Sequence, residues 1–470
     1  MKEILKRNKF VILFILVLIA LCLFSMLFVR YECDYFWHIK AGEYMVKNDL
    51  ILTKDIFSWF VNGKYWFSHE WLFEILLYNL LEIFGNLHIY IYCFILFFGL
   101  LLSFFIPNRK EYLKNIPFCM LWFGFSAIIF FFLQARPHLI TYLLISILLY
   151  VLYDLYNDEN SNKFYLIPFI SLIWVNVHGG SSCLTYIFPI IFLLSGVFSF
   201  KSSKIEANRY SKRKFIKFML SSVFAFVPLF INPHGYKMIL YPYQNMNNSL
   251  MLANIVEWKC SDLNLIHHYP FFVLAFFVFL IMFLSKKKIR LIDALIFLFG
   301  LYLGLKSIRF WPFVYIFMSH SIFYYILPRR IDKGTERILI VLICGFLVFF
   351  SLNKSYLKSS FDKPFTDKAV DVLKVEKPKR LLNYYDYGGY LIYNDIPVFI
   401  DGRADLYSEY NYEDYLELTN FSYKYDDILE KYKFDYILMP TKISFSNYLA
   451  ELNTYELIYS DKKVVIFKAK

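Results

Sequence analysis

The sequence predicts a polytopic α-helical membrane protein that ends in a small α/β domain. Three observations support this fold class. Hydrophobic residues make up 59% of the 470 residues, and the mean hydropathy is +0.46, which is too apolar for a soluble globule. The basic residues stand in short clusters between apolar runs, so the net charge of +12 indicates orientation in a membrane rather than a nucleic-acid partner.

Membrane-spanning helices are predicted from apolar runs of roughly 17 to 25 residues. About eleven such runs are present, and some are short enough to leave the count open by two. They lie near 10–29, 87–106, 116–135, 138–153, 164–178, 181–200, 214–232, 270–286, 290–306, 309–327 and 337–353.

The basic clusters indicate how these runs are oriented. Lys2, Lys6, Arg7 and Lys9 precede the first run, and no small-residue cleavage site follows it, so this run is predicted to be an anchor with a cytoplasmic N-terminus. The clusters at 109–114, 201–217, 286–290 and 329–337 then all fall on the cytoplasmic side. Three long segments are left on the outer side, at 30–69, 233–269 and 354–470.

Two domains follow from this pattern. Residues 1–353 form the transmembrane domain, which includes the outward first loop 30–69. Residues 354–470 form an extracytoplasmic α/β domain, because apolar runs there shorten to strand length. Strands are predicted at 380–386, 397–403, 434–440, 455–460 and 463–468, with helices at 366–374, 412–420 and 425–432.

The first outward loop concentrates ionisable residues. Asp34 and His38 lie four residues apart, so they share one face of an amphipathic helix predicted to lie along the membrane surface with Trp37 as interfacial anchor. His69 and Glu70 begin a second such helix. For single residues, an interfacial position satisfied by water and lipid headgroups explains these charges equally well.

Ionisable residues recur on other predicted spans at the same membrane level. They are Arg136, His138, His178, His234 and Arg309. Since each is costly to expose to lipid, we expect them to face a polar cavity or the water boundary. Such a cavity suits chemistry on a phosphorylated lipid, because a carboxylate or imidazole can act as a general base and arginine can bind phosphate oxygens.

Several stretches together resemble the GT-C superfamily of integral-membrane glycosyltransferases. They are DYFWHIKAGEYM, DIFSWFVNGKYWFSHEWLFE, ARPHL, WVNVHGG, INPHGY and YDYGGYLIYNDIPVFIDGRADLY. Within that superfamily the chain is similar to bacterial members related to the protein mannosyltransferase and aminoarabinose-transferase group. The resemblance implies a sugar on a polyprenyl-phosphate donor, inverting transfer to an unidentified protein, lipid or glycan acceptor, and a location in the bacterial plasma membrane among its lipids.

The resemblance also implies roles for individual residues. Asp34 matches the acidic residue of the family's first loop, a catalytic base or metal ligand, with His38 and Glu70 beside it. His69, Arg136, His138, His178 and Arg309 are candidates for binding substrate or phosphate. Relatives often carry two adjacent acids, whereas here Cys33 separates Glu32 from Asp34. A divalent cation, Mg²⁺ or Mn²⁺, therefore stays an open expectation, with Asp34, His38, His69 and Glu70 as candidate ligands.

Other functions stay open. A transporter or flippase for a lipid-linked sugar would use the carboxylates as proton relays, although no inverted repeat supports alternating access. A glycan polymerase or ligase would use similar donors, and a pseudo-enzyme would only bind a lipid or an assembly partner. A nucleotide-sugar enzyme is disfavoured, because neither a DxD triplet nor a Gly-rich phosphate loop occurs in the predicted cytoplasmic segments.

Overall fold

The computed structural model describes residues 2–30, 32–114, 116–326, 363–420, 422–452 and 454–470. The chain divides into two compact units. The helical unit contains Met1–Val29, Ile89–Gln244 and Leu252–Ser360, and the loop-tail unit contains Arg30–His88, Asn245–Met251 and Phe361–Lys470. The first loop, predicted from sequence to be part of the transmembrane domain, thus packs in one unit with the C-terminal segment.

The helical unit consists of helices and short 3₁₀ segments. Its α-helices are α1 (Lys2–Ser25), α4 (His88–Lys114), α5 (Ile116–Gly124), α6 (His138–Asn157), α7 (Ile167–Val177), α8 (Leu184–Ser195), α9 (Lys212–Phe226), α10 (Lys237–Met246), α11 (Ser249–Asn254), α12 (Tyr269–Leu284), α13 (Leu291–Lys306) and α14 (Trp311–Met318). A small sheet joins β1 (Phe200–Lys201), β2 (Ile205–Ala207) and β3 (Ile289–Arg290), with β1 antiparallel and β3 parallel to the central β2.

The predicted apolar runs coincide with helical segments wherever the structure describes them. Among the residues that the structure describes, two stretches, Trp71–Pro107 and His138–Asn157, are long and apolar enough to cross a membrane by length and composition. Six shorter apolar helices accompany them among the described residues. The helical character of the membrane part is therefore observed, whereas the count of eleven stays a prediction, and the run at 337–353 lies outside the described residues.

Local sequence explains why many helices are short. Proline cannot donate a backbone hydrogen bond, so it interrupts regular helix. After α9, Pro228 stands in the 3₁₀ segment Val227–Phe230 that prolongs the helix. After α5, the chain continues as the 3₁₀ segment Phe125–Phe132. In both places the apolar run consists of an α-helical piece followed by a 3₁₀ piece.

The loop-tail unit is an α/β structure. From the first loop come α2 (Cys33–Asn48) and α3 (Trp71–Phe84), and from the tail come α15 (Asp367–Glu376), α16 (Gly388–Tyr393), α17 (Ala404–Tyr407), α18 (Tyr412–Thr419), α19 (Tyr425–Tyr432) and α20 (Ser444–Glu451). Its sheet has the order β4-β5-β7-β6, with β4 (Leu381–Asn383), β5 (Tyr436–Pro440), β6 (Tyr455–Ser460) and β7 (Val464–Ala469). β4 runs parallel to β5, and β6 and β7 form the predicted closing hairpin.

Four of the five predicted tail strands are confirmed, and the prediction of a strand at 397–403 is wrong. Val398 makes only an isolated bridge, to Ser58 of the first loop. The side chain of Asn383 replaces a strand partner, since it accepts a hydrogen bond from the Phe399 amide at 2.8 Å and donates one to the Ile400 carbonyl at 2.7 Å. This segment is therefore held by the buried Asn383 and by the first loop. An alternating apolar pattern in the sequence does not by itself provide a neighbouring strand.

The first loop and the tail share one hydrophobic core. Trp37, Met45 and Trp66 from the loop pack in the same cluster as Tyr390 and Ile400 from the tail. Trp37 is only 5% exposed, so its predicted role as an interfacial anchor is wrong. The apolar face of α2 is buried by protein because α16 packs against it.

Close packing between α2 and α16 depends on a glycine. A Cβ at Gly389 would lie 2.2 Å from the Cys33 carbonyl oxygen, which is backbone and cannot rotate away. We expect Gly389→Ala to lower the free energy of unfolding of the loop-tail unit by about 1–3 kcal/mol, measured as thermal unfolding of the detergent-solubilised protein. Gly99→Ala is the control, since its added methyl would meet Leu143 at an ordinary 3.6 Å. Equal unfolding temperatures for the two variants would contradict the packing argument.

Candidate active site

Asp34 lies in the first turn of α2, at the start of the first loop. Glu32 is the extended N-cap residue of this helix, and a carboxylate in the first turn is favoured by the helix dipole. The indole Nε1 of Trp37 donates a hydrogen bond to Asp34 Oδ1 at 3.1 Å. Because Trp37 is fixed in the core, it fixes the orientation of the half-buried Asp34 carboxylate.

The tail contributes a second support for Asp34. A Cβ at Gly402 would lie only 1.7 Å from Asp34 Oδ1, so the carboxylate rests directly on the backbone of this glycine. A Cβ at Gly388 would lie 2.3 Å from the Ile400 carbonyl oxygen, so a second glycine allows the segment before Gly402 to approach. The pair Gly388 and Gly389 therefore brings both α2 and the Asp401-Gly402-Arg403 segment close to α16.

Two tail residues share the electrostatic surroundings of Asp34. Partial desolvation and the negative charge of Asp34 raise the pKa of Asp386. Burial, followed by the charge of Asp34, holds the pKa of Tyr385 well above its ordinary value, so its hydroxyl stays protonated and donates to the Gly402 carbonyl at 3.2 Å. Asp34, Asp386 and Tyr385 therefore form an acidic neighbourhood.

A line of alternating acids and histidines runs from α2 to the start of α3. His38 Nδ1 lies 3.5 Å from Glu74 Oε1, and His38 Nε2 lies 3.4 Å from Glu70 Oε2. The other oxygen of Glu70 lies 3.2 Å from His69 Nε2. His38 and Glu74 are fully buried, whereas His69 is partly exposed. These contacts link α2 to α3.

Among these acids and histidines, His69 has a strongly raised pKa. Burial lowers the pKa of its imidazole, but the charge and hydrogen bond of Glu70, together with the charge of Asp405, outweigh that effect and raise the pKa from 6.5 to about 9. At neutral pH His69 is therefore a cation. The imidazole is paired with Glu70, and its role in binding a phosphate or other anion stays a prediction.

Behind Gly402 lies a buried ionic network centred on Arg403. Its guanidinium binds Asp401 through Nε at 2.8 Å and Nη2 at 2.6 Å, and binds Asp55 of the first loop through Nη1 at 2.7 Å. Tyr407 donates to Asp401 at 2.5 Å, and the guanidinium stacks 4.6 Å from the ring of Trp66. Every charge has a partner, as burial of ions requires.

The other predicted site residues lie in the helical unit, in two groups. Arg136 Nη1 is paired with Glu257 at 3.0 Å, and Arg309 stacks 5.4 Å from the ring of the adjacent Trp258. His138 Nε2 lies 2.6 Å from the Phe132 carbonyl oxygen. Glu257 contacts Arg136, and its sequence neighbour Trp258 contacts Arg309. One short segment, 257–258, therefore contacts both arginines.

His178 belongs to a separate buried network. Its Nδ1 lies 2.7 Å from Thr141 Oγ1 and 2.9 Å from Ser181 Oγ. Trp174 Nε1 donates to the same serine hydroxyl at 2.9 Å. These contacts fix the turn after α7, so the position of His178 is explained by packing and hydrogen bonding alone.

The four candidate metal ligands do not form one metal-binding cluster. Within the described ranges, no group of three or more His, Cys, Asp or Glu side chains is placed to hold a metal ion. Asp34 is turned toward Trp37 and Gly402, whereas His38, His69 and Glu70 form the line described above. These residues as arranged do not fit a shared divalent-ion site.

Sequence reasoning missed several residues that build the site. Asp55 and Glu257 were not recognised as counter-ions, because nothing in the local sequence identifies a partner more than a hundred residues away. An Asp-Gly pair after a predicted strand is typical of a turn, so Asp401 and Arg403 do not stand out in the sequence as a buried ion pair. The paired glycines of YGGY and the glycine of DGR were usable signals, since a glycine allows close backbone approach.

Comparison with known proteins shows which solved structures have a fold similar to that of this chain. No protein-family model and no curated protein sequence matches the chain. Two crystal structures of the Archaeoglobus fulgidus oligosaccharyltransferase are similar to it over 91% of this chain and 69% of theirs. The apo form has a TM-score of 0.50 and 11% identity. The form tethered through a disulfide bond to an acceptor peptide containing the NVT sequon has a TM-score of 0.51 and 12% identity. The chain therefore shares the overall fold of this archaeal enzyme, whereas membership of the GT-C superfamily and of its bacterial subgroup stays a prediction.

The ionisation of His69 can be measured directly. We expect its imidazole to titrate near pH 9 in histidine-labelled protein observed by NMR, with the signal assigned by its absence in His69→Gln. Because the folded pKa exceeds the ordinary 6.5, the stability that His69 contributes is complete below pH 6.5 and is lost as the pH rises through 9. Glu70→Gln removes the main stabilising charge and returns the pKa toward 6.5. A His69 that titrates near 6.5 in the wild type would contradict this electrostatic account.

The network around Arg403 has a large expected effect on stability. Arg403→Met leaves Asp55 and Asp401 buried without their cation, and we expect a loss of about 3–5 kcal/mol in the free energy of unfolding. Denaturant unfolding of the purified protein measures this loss. Arg380→Met is the control, since Arg380 is an exposed arginine of the same unit. Similar stabilities for both variants would show that the buried network contributes little.

Proposed function

We propose that this protein is a membrane glycosyltransferase that moves a sugar from a polyprenyl-phosphate donor to an acceptor on the outer face of the membrane. The observation that carries the proposal is the position of the Asp34 carboxylate and its contacts. This carboxylate lies at the entry of the first loop, is oriented by the Trp37 indole and rests on Gly402. The oligosaccharyltransferase-like fold supports the same reaction class, although fold likeness alone does not establish activity.

The proposed reaction is a single inverting displacement. The acceptor oxygen forms a bond to the anomeric carbon on the face opposite the lipid phosphate, while the bond from that carbon to the phosphate oxygen breaks. The leaving polyprenyl phosphate keeps the electron pair of the broken bond, and the acceptor proton passes to Asp34. A positioned carboxylate contributes to such a step by removing the proton as the bond forms.

Other residues have supporting roles in the proposal. His38 and Glu70 link α2 to α3 and keep the helix that carries Asp34 in place. His69, a cation at neutral pH, is a predicted anion-binding residue. Arg136 and Arg309 stay predicted partners of the leaving phosphate, because guanidinium groups bind phosphate oxygens in a bidentate geometry. Arg136 would have to exchange Glu257 for phosphate, and His138 and His178 would act by fixing the helices beside it.

The acceptor is proposed only by class. The archaeal neighbour was captured with a peptide containing an NVT sequon, so a peptide belongs in the panel of acceptors beside lipid and glycan hydroxyl compounds. A location in the bacterial plasma membrane, with the N-terminus in the cytoplasm and the loop-tail unit outside, is part of the same proposal. It is supported by the arrangement of the basic clusters along the sequence.

The first experiment removes the proposed base. Asp34→Asn keeps the shape of the side chain but cannot accept the proton, so we expect a loss of about 100- to 10,000-fold in kcat. Transfer of labelled sugar from a panel of polyprenyl-phosphate sugars is measured with the purified protein, with and without added Mn²⁺. Glu43→Gln is the matched control, since it removes a carboxylate from the same helix where it pairs with Lys40 and Lys47.

The outcomes of this experiment separate the alternatives. Wild-type turnover in Asp34→Asn would exclude Asp34 as the base. If no donor supports transfer and a lipid-linked sugar is translocated in vesicles, the protein is a transporter and the proposal is wrong. Dependence on Mn²⁺ would show a metal site that the arrangement of the four candidate residues does not provide.

A second experiment moves the Asp34 carboxylate without changing its charge. Gly402→Ala would place a methyl group 1.7 Å from the present position of Asp34 Oδ1, so the carboxylate must rotate. We expect kcat to fall roughly 10- to 100-fold, since a displacement of about 1 Å has effects of this size, while donor KM changes little. Unchanged kcat in a variant that unfolds at the wild-type temperature would show that the Gly402 contact does not position the base.

A further inference from the structure

A groove of about 520 Å³ opens on the surface of the helical unit at the start of α9. Seven residues line it. They are Phe164, Tyr165, Lys212, Arg213, Ile216, Lys217 and Leu220. Three of them are cations and four are apolar or aromatic, and none is acidic. The groove therefore combines positive charge with an apolar wall.

Two of the three cations of the groove are held by neutral groups. Arg213 Nη1 donates to the Asn160 side-chain oxygen at 2.8 Å, and Lys217 Nζ donates to the Ser161 carbonyl at 2.8 Å. No ion pair joins Lys212, Arg213 or Lys217 to a carboxylate in the described part of the chain. Their positive charges are not neutralised by the protein.

The acidic residues of the neighbouring turn are occupied elsewhere. Asp154 pairs with Lys163 at 2.6 Å, and Glu159 accepts a hydrogen bond from Ser211 at 2.5 Å. Asp158 accepts from the Asn160 amide at 2.9 Å. The free N–H groups at the start of a helix add to the positive potential here. An anion in the groove would therefore meet three cations that have no carboxylate partner among the described residues.

An apolar surface continues from the groove along the helices. On α9 the exposed fractions are 38% for Ile216, 45% for Met219 and 49% for Val223, which follow one another at helical spacing. On the adjacent α7, Phe169 is 65% and Ile173 is 49% exposed. Contact with lipid acyl chains is favourable for such an apolar surface, whereas contact with water is unfavourable. A small free anion would gain nothing from it.

We propose that this groove binds the headgroup of an anionic membrane phospholipid. Lys212, Arg213 and Lys217 contact the phosphate, and the acyl chains lie along Ile216, Val223 and the exposed face of α7. The site is separate from the transfer reaction, and it does not depend on Asp34. Its role would be to hold α7 and α9 at the membrane boundary through a bound lipid.

Native mass spectrometry of the delipidated protein in neutral detergent tests the site. Phosphatidylglycerol, phosphatidylcholine, glycerophosphoglycerol and inorganic phosphate are the probes. We expect one phosphatidylglycerol molecule to bind more tightly than any of the other probes. We expect Lys212→Gln/Arg213→Gln/Lys217→Gln to weaken that binding about 100-fold, since each basic residue near an anionic headgroup contributes about fivefold. Lys286→Gln/Lys287→Gln/Lys288→Gln is the control, because it removes the same charge from another basic cluster.

Several outcomes would overturn the proposal. Equal loss in both triple variants would show unspecific attraction to positive charge. Competition by glycerophosphoglycerol or phosphate as strong as that of the whole lipid would show an anion site without a lipid. If the triple variant unfolds, Lys212→Gln and Ile216→Ser serve as exposed single substitutions, and both must weaken phosphatidylglycerol binding. Wild-type binding in both single variants would exclude the groove as the lipid site.

Discussion

The structure of the loop-tail unit depends on the neutralisation of one buried guanidinium. Arg403 is about as fully buried as the core tryptophans, and an ion in such a position is tolerated only when its partners are in place. Asp401 is supplied by the same turn, but Asp55 comes from the first loop, 348 residues earlier. The ionic network therefore joins two segments that are remote in sequence, and the aromatic rings of Phe57 and Trp66 cover it.

The position of Asp34 follows from this network through a single glycine. Gly402 stands between Asp401 and Arg403, so its backbone is fixed on both sides by the buried ions. The carboxylate of Asp34 rests on that backbone, and the Trp37 indole orients it from its own helix. The catalytic candidate is thus supported by the first loop and the tail together, whereas sequence analysis assigned these segments to different domains. A shared hydrophobic core, which includes Trp37 and Ile400, keeps them together.

Sequence periodicity predicted the elements of the fold better than it predicted their partners. The apolar runs, the tail strands around Leu381, Ile437 and Val465, and the helices that begin near Asp34 and Glu70 follow from local patterns. The segment at 397–403 did not, because its hydrogen bonds go to the Asn383 side chain and to residue 58. Trp37 was assigned to the membrane surface, because an amphipathic pattern does not say whether lipid or protein covers the apolar face.

The same distinction applies to the candidate site. The ionisable residues could be selected from the sequence, since a charge beside an apolar run needs an explanation. Their grouping could not, because the contacts of Arg136 with Glu257 and of Asp55 with Arg403 cross large distances along the chain. Glycines 388, 389 and 402 were visible in the sequence, but the carbonyls and the carboxylate that they admit became apparent only with the backbone in place.

The separation between Asp55 and Arg403 also has a consequence for biosynthesis. At the usual elongation rate of about 5 to 20 residues per second, the first loop is complete roughly 20 to 70 seconds before the ribosome supplies the arginine that neutralises Asp55. During that interval Trp37 and Trp66 lack most of their core, and Asp34 has no Gly402 on which to rest. A nascent chain that stops short of the tail therefore lacks the groups that hold Asp34 in its final position.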